Sequence, residues 1–195
     1  MSSFSGDFSL AFLNLFVMLN AIGTVPIFLS LTDGSSPLER REIAKKSAIV
    51  AGSIVLVFIF LGKYILEFFH IKTEDFFVAG GLILLILALD FTTGKNVVRS
   101  YTVKKEELAV VPLGTPLLAG PGTITMSIIL TYDYGPFITA LAAIANGVIA
   151  WLILKYSDLV IRKIGSSGIN AASRVLGLLL AAIAVSMIRR GITGF

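Results

Sequence analysis

Long apolar stretches separated by short charged connectors dominate the chain. Six of them suit membrane spans, since a transmembrane helix needs about 20 mostly apolar residues. Span three is purely apolar only from Phe76 to Leu89, so we expect it to continue through Asp90 to near Val98, which places Asp90 inside the membrane. The predicted spans cover residues 8–31, 48–62 with a continuation to 69, 76–98, 108–130, 137–154 and 171–188.

Two of these spans contain residues that interrupt helices. Span four holds Gly120, Pro121 and Gly122 in series. Proline lacks a backbone donor and blocks the preceding turn, and glycine adds conformational freedom. Span one is interrupted over residues 20–26, where Pro26 is the helix breaker. Because freed backbone at membrane depth is tolerated only inside protein or along a cavity, we predict that both spans are broken at the membrane midplane.

Composition and charge narrow the class of protein. Of 195 residues, 56% are hydrophobic and 14% are charged, with a mean hydropathy of +0.92. Soluble domains carry about 25% charged residues, so we predict an all-α integral membrane protein with one domain over residues 1–195. The absence of cysteine excludes disulfides and thiolate ligands, and the single histidine, His70, argues against a His-based metal site or catalytic triad.

Basic residues cluster in alternate connectors. The loops 1–2, 3–4 and 5–6 hold 12 of the 16 basic residues, which predicts a multi-pass cell-membrane protein with these loops cytoplasmic and both termini outside. The positive net charge is therefore explained by basic residues that set the orientation of the chain in the membrane, so we expect no nucleic-acid partner. Ser36 and Pro37 could start a short helix in loop 1–2. The twelve are Arg40, Arg41, Lys45, Lys46, Lys95, Arg99, Lys104, Lys105, Lys155, Arg162, Lys163 and Arg174.

The two halves of the chain, 1–95 and 96–195, resemble each other. The segment from Gly23 to Val25 aligns with the segment from Gly122 to Ile124, Gly81 aligns with Gly177, and Ala88 aligns with Ala184. Each half has three predicted spans, an odd number, so a duplicated half must insert upside down. The sequence therefore predicts two inverted 3+3 repeats, and two broken segments in corresponding halves are typical of a transporter binding site.

The helix breaks offer a place for a small zwitterion. A half-helix N-terminus carries about half a positive charge and free N–H groups, which suit a carboxylate, while C-terminal carbonyls suit an ammonium group. Thr24 and Thr123 follow the breaks and could add hydroxyl donors. The candidate substrate-binding residues are Asn20, Gly23, Thr24, Ala119, Gly120, Gly122 and Thr123, with Pro26 and Pro121 as helix breakers.

A structural interpretation competes with each of these assignments. Glycine and proline can simply kink transmembrane helices or let them pack tightly. The Asn20 side chain can bind a ligand or satisfy freed backbone, and Asn14 and Asn146 suit hydrogen bonds between helices.

Asp90 is the candidate ion-coupling residue, because an intramembrane carboxylate is costly unless it is paired or protonated. It could carry a proton, bind Na⁺ or meet the substrate ammonium. Alternatively, it lies near cytoplasmic water and is capped by Thr92, Thr93 or Lys95.

At these motifs the sequence resembles the MarC family of integral membrane proteins over nearly its whole length. The segments 20–28 and 116–122 and the pair Gly80-Gly81 carry the resemblance, although the family commonly has Asn-Pro where this chain has Asn20-Ala21. The resemblance implies six transmembrane helices in an inverted repeat and transport of glycine or alanine with proton coupling. Through the family's link to antibiotic resistance, it implies drug export more weakly.

We therefore expect a secondary transporter of small neutral amino acids, coupled to H⁺ or Na⁺, rather than an enzyme. The sequence has no phosphate-binding loop, so ATP is not the direct energy source, and no cofactor or metal is expected. The alternatives are an exporter or channel for other small solutes or drugs, an intramembrane enzyme, and a membrane scaffold.

Overall fold

The computed structural model describes residues 4–93, 113–114 and 118–194, apart from the side chains at positions 73, 87, 90, 93 and 166. Every regular element within these ranges is a helix, which confirms the all-α class for this part of the chain. In chain order the described helices are α1 (Phe4–Leu19), α2 (Ala21–Leu31), α3 (Pro37–Phe68), α4 (Thr73–Thr93), α5 (Pro121–Tyr134), α6 (Pro136–Lys155) and α7 (Ser157–Thr193).

Four described stretches are long and apolar enough to cross a membrane: 4–31, which combines α1 and α2, 37–68, 136–155 and 167–193. They agree with the multi-pass membrane protein predicted from hydropathy. Predicted spans three and four are not among them. Span three corresponds to α4, and α5 covers only the second half of span four, whose first half lies largely outside the described residues. The count of six spans therefore stays a prediction.

Helix α3 begins earlier than the predicted span two. The Ser36 hydroxyl accepts from the Glu39 amide at 3.3 Å, and the Glu39 carboxylate accepts from the Ser36 amide at 2.7 Å, which together form a capping box. Pro37 occupies the first helical position, where its missing N–H is not needed. The short helix expected here is thus the first part of α3, which runs on for 32 residues.

The connector between predicted spans five and six is also helical. Arg162, Lys163 and Arg174 were expected in a loop, but all three lie within α7, which begins at Ser157. Lysine and arginine are good helix formers, so a first helical segment of α7 forms outside the apolar stretch, and a second follows after a kink at Gly165. The direction of the chain changes at Gly165, whose φ of 73° and ψ of 160° are open to glycine alone.

In span one the interruption is narrower than predicted. The helix is broken at Asn20 alone, and Pro26 lies inside α2, contrary to its predicted role as the breaker. Proline's φ is compatible with a helix, and its cost is one lost hydrogen bond and a clash in the preceding turn. Asn20 interrupts the helix because its own backbone is left-handed, with φ 40° and ψ 44°.

Glycines bring α4 and α7 into close contact. A Cβ atom on Gly81 would lie 2.8 Å from the Ala184 carbonyl oxygen, and one on Gly177 would lie 3.2 Å from the Ala88 carbonyl oxygen. At Gly191 the same atom would lie 2.6 Å from the Glu74 carbonyl. Only a residue without a Cβ lets the two backbones approach this closely.

Ion pairs join α7 to other helices near both of its ends. Near its start, Arg40 of α3 contacts Asp158 at 2.7 Å. Near its end, Arg190 binds both carboxylate oxygens of Asp133, at 2.8 and 2.9 Å. The predicted i,i+4 pair of Lys63 and Glu67 is confirmed at 3.7 Å on the exposed surface of α3.

Candidate functional site at the two helix interruptions

The first interruption is organised by the side chain of Asn20. Its Oδ1 accepts a hydrogen bond of 3.2 Å from the Gly23 amide and so caps the start of α2. Asparagine tolerates left-handed backbone better than most residues, and this one is only 4% exposed. The structure therefore uses Asn20 to satisfy freed backbone, one of the two roles expected for it.

Gly23 fits against this cap because it has no side chain. A Cβ atom there would lie 2.5 to 2.9 Å from the terminal atoms of the Asn20 side chain. Any larger residue at position 23 would push the amide group of Asn20 off the first turn of α2.

The second interruption lies just before α5. Gly120 has extended backbone, with φ −77° and ψ 173°, and Pro121 is the first helical residue. The Ala119 amide donates to the Gly114 carbonyl five residues back at 3.0 Å, the wide spacing of a π turn. Ala119, Gly120 and Gly122 are buried, whereas Pro121, the first residue of the helix, is exposed.

The two predicted threonines occupy similar positions. Thr24 donates to the Asn20 carbonyl at 3.2 Å, and Thr123 donates to the Leu118 carbonyl at 3.0 Å. Both are almost fully buried, at 4% and 2% exposure. Each hydroxyl thus donates its proton to a backbone carbonyl beside its interruption. It could accept a hydrogen bond from a bound molecule, but it could donate one only after rotating away from that carbonyl.

A small apolar cavity lies between the two interruptions. Leu19, next to Asn20, and Leu118, two residues before Gly120, both line it, together with small residues of α3 and α6. Its volume is about 10 Å³, roughly the space that one water molecule needs. An amino acid would therefore enter only after the surrounding helices move apart.

Asn146 of α6 is a polar group that the sequence analysis expected to form a hydrogen bond between helices. Its Nδ2 donates to the Phe12 carbonyl of α1 at 3.0 Å, which confirms the predicted bond between helices. Its Oδ1 is buried and has no hydrogen-bond partner among the described residues. A buried acceptor without a partner costs about 1–3 kcal/mol, which makes this oxygen a candidate to accept from a bound donor. The Asn14 amide instead donates within its own helix, to Leu10 at 2.8 Å.

A comparison with known proteins identifies the family. The model of the MarC family integral membrane protein matches residues 6–195. The chain belongs to the MarC family. A UPF0056 membrane protein of Methanocaldococcus jannaschii is 40% identical over 96% of both chains. The UPF0056 membrane proteins YvbG of Bacillus subtilis and YhcE of Escherichia coli are 34% and 31% identical, each over 94% of this chain and over 92% and 90% of their own.

No solved structure matches this MarC-family chain. The family membership confirms the resemblance found at segments 20–28 and 116–122, and it establishes an integral membrane protein. The names of these relatives state no substrate.

Asp90 of this MarC-family protein lies in the last part of α4, but its side chain is outside the described part of the structure. The Thr92 hydroxyl, one of its expected capping groups, lies 2.9 Å from the Ala88 carbonyl and 3.0 Å from the Leu89 carbonyl. Its single proton therefore points to the helix backbone. The Thr93 side chain and Lys95 are outside the described residues.

Proposed function

We propose that this MarC-family protein is a secondary active transporter of small neutral amino acids, glycine and alanine, coupled to protons. The observation that carries the proposal is that buried residues flank both interruptions. Asn20 and Ala21 are buried at the start of α2, and Ala119, Gly120 and Gly122 are buried on either side of the exposed Pro121 of α5. Asn20 already caps the Gly23 amide, and the remaining first-turn amides of the two helices would form an anion site of the kind that broken transporter helices use.

An inverted repeat of six spans is part of this proposal, and the contact between α4 and α7 supports it. A twofold axis makes contacts reciprocal. If a residue of the first half contacts a residue of the second, their symmetry-related partners must contact each other as well. Gly81 approaches Ala184, and Gly177 approaches Ala88. These are the residues that the sequence repeat pairs, Gly81 with Gly177 and Ala88 with Ala184.

The chemistry of the interior favours a small zwitterion. The starts of α2 and α5 attract a carboxylate, and the backbone carbonyls that precede each interruption suit an ammonium group. The small residues at the second interruption, Ala119, Gly120 and Gly122, leave space close to the backbone and none of the aromatic surface that a bulky drug would need.

Energy for accumulation would come from an ion, because a zwitterion carries no net charge. One proton moving through a membrane potential supplies about 2.3 kcal/mol per 100 mV, enough for accumulation by a factor of tens. Asp90 is the residue proposed to carry it.

The proposed orientation places the basic ends of α3 and α7 in the cytoplasm. Arg40, Arg41 and Arg162 line one cavity together with Lys155, so basic residues of predicted loops 1–2 and 5–6 share one end of the molecule. This clustering is what the positive-inside rule expects of a cytoplasmic face.

Counterflow of radiolabelled glycine and alanine in proteoliposomes tests the function, with and without an inward pH gradient. We expect saturable counterflow that the gradient turns into net accumulation. Flux that does not saturate would indicate a channel, the second candidate. Folded protein without amino acid flux would contradict the proposal.

A further inference from the structure

A basic cavity of about 190 Å³ lies where the start of α3, the end of α6 and the start of α7 meet. Arg40, Arg41, Lys155 and Arg162 line it, and the one acidic residue in its lining is Asp158. Because Asp158 pairs with Arg40, the described lining keeps an excess of positive charge. Basic pockets between transmembrane helices are typical binding sites for anionic lipid headgroups.

An apolar groove of about 390 Å³ runs between α3 and α6. Small residues form its floor, including Gly52 and Gly147, and a Cβ on either glycine would meet no other atom within 4 Å. Its rim carries exposed apolar side chains such as Ile49 and Ile144, at 56% and 53% exposure. The groove is thus an open channel on the apolar surface, of a kind that suits a hydrocarbon chain.

The groove and the basic cavity belong to one continuous surface. Lys45 lines the groove, and Arg41, four residues earlier on α3, lines the cavity. Trp151 lines the groove, and Lys155, four residues later on α6, lines the cavity. Residues four apart lie one turn apart on the same helix face, so the groove leads into the cavity along both helices.

An apolar groove that ends in a cluster of cations matches a molecule with a long hydrocarbon chain and an anionic head. We infer that this surface binds an anionic phospholipid, with its phosphate at Arg41 and Lys155 and an acyl chain along Gly52 and Gly147. The lipid complements both the charge of the cavity and the apolar lining of the groove. The inference rests on the membrane location of the chain and is independent of the transported substrate.

Trp151 gives a direct readout, because it is the single tryptophan of the chain and lines the groove. The protein would be reconstituted in phosphatidylcholine vesicles containing a few per cent of either brominated phosphatidylglycerol or brominated phosphatidylcholine. Bromine quenches tryptophan fluorescence at short range. We expect phosphatidylglycerol to quench at several-fold lower mole fraction than phosphatidylcholine, and added salt to reduce this preference.

Two variants test the headgroup and the chain separately. A basic residue near an anionic surface contributes roughly fivefold in affinity. The double variant Arg41→Gln and Lys155→Gln should therefore lose the whole several-fold preference, so that the two brominated lipids quench alike. Gly147→Leu fills the groove and should lower quenching by both brominated lipids. The matched control is Lys63→Gln with Lys72→Gln, which should keep the preference of the original chain. Lys63 lies near the other end of α3, and Lys72 lies in the connector between α3 and α4.

The preference is a ratio within one variant, so a change in intrinsic tryptophan emission does not affect it. Circular dichroism and thermal unfolding would establish that each variant folds. Equal quenching by the two lipids would overturn the inference. So would displacement by soluble glycerol phosphate, which would assign the cavity to a free phosphate. A dimer that Gly147→Leu converts to a monomer would assign the groove to a second copy of the chain.

Discussion

The side chain of Asn20 supplies the acceptor that a helix start needs, at a residue whose own backbone is left-handed. Few side chains combine both properties, because most residues with a Cβ are strained at positive φ. The second helix start needs no such side chain. Gly120 has extended backbone, and Pro121 at the first helical position has no N–H that would need an acceptor. In both places a threonine hydroxyl bonds to a backbone carbonyl beside the interruption.

We predict that Thr123→Val weakens glycine binding by at least tenfold. The change keeps the shape of the side chain but removes the hydroxyl beside the start of α5 and leaves the Leu118 carbonyl without this donor. Isothermal titration or counterflow inhibition would measure the loss. The matched control is Thr131→Val in the same helix, where the lost bond is also to the backbone, at Ser127. Equal affinity in the two variants would mean that the interruption has a structural role only.

We predict that Asp90→Asn removes accumulation driven by a pH gradient and keeps counterflow, because the amide cannot carry a proton. Uptake in proteoliposomes with an imposed gradient would measure this effect. Asp75→Asn, in the first turn of the same helix, is the control and should accumulate substrate normally. Unchanged gradient-driven uptake in Asp90→Asn would exclude this residue from coupling.

At the scale of elements, α4 and α7 pack through reciprocal glycine contacts at Gly81 and Gly177. Without hydrophobic driving force between helices in lipid, close backbone approach is a main source of their attraction. The described glycines differ in whether a neighbouring helix backbone lies close to them. A Cβ on Gly52 of α3 meets nothing within 4 Å, whereas one on Gly81 meets a backbone carbonyl of the neighbouring helix.

We predict that Gly81→Ala and Gly177→Ala each lower stability by about 1–3 kcal/mol, the usual cost of overpacking. Similar costs are expected because the two contacts are reciprocal. Gly52→Ala is the control and should be neutral or slightly stabilising, since alanine is the better helix former. Thermal unfolding in detergent would give the values. A large loss at one position with none at the other would contradict the proposed repeat symmetry of this contact.

The sequence alone predicted those helices whose bounds follow from a continuous apolar stretch. Hydropathy predicted α6 to within one residue at each end, because apolar residues fill that helix from Phe137 to Leu154. Hydropathy wrongly predicted a loop at Arg162 and Lys163, which are helical. Charged residues mark where an apolar layer ends, but they do not end a helix. The sequence analysis placed the first interruption in a segment that includes Asn20, but it named Pro26 as the breaker, which is wrong. The role of Asn20 depends on its left-handed backbone, which composition does not reveal.

The sequence predicted which residues are neighbours at the first interruption but not how they bond. Asn20, Gly23 and Thr24 do lie together, joined by hydrogen bonds. The unpartnered Oδ1 of Asn146 could not be inferred, because it depends on which atoms of α1 and α6 face each other. Long-range geometry of this kind is fixed by packing among helices.

At the scale of the whole molecule, ion pairs near both ends of α7 hold it to α3 and α5. The cavity between the interruptions is nearly closed, at about 10 Å³. Alternating access would therefore require rearrangement of packed helices, with one or other end of α7 released from its partner. The Arg40–Asp158 pair joins a partly buried arginine to an exposed aspartate, whereas Arg190 holds Asp133 through two bonds at a less exposed site. A bound substrate could therefore shift the equilibrium more easily at the Arg40 end of α7.

We predict that a cysteine at Asp33 reacts from the cytoplasm and one at Ile192 reacts from outside. The chain has no cysteine of its own, so each variant carries a single thiol, and both positions are exposed. A membrane-impermeant maleimide applied to intact cells should label the Ile192 variant and spare the Asp33 variant until the cells are opened. The opposite labelling would reverse the orientation that the basic residues predict.

A three-helix chain of about half this length, inserted into the membrane in both orientations, would present the same glycine and alanine to an upside-down copy of itself. The contacts of Gly81 with Ala184 and of Gly177 with Ala88 are those that such a dual-topology pair would form. Gene duplication and fusion would then preserve an assembly that separate chains could already make. If the proposed repeat arose in this way, the halves would have diverged after fusion, since α2 starts after Asn20 and α5 starts at Pro121 after Gly120.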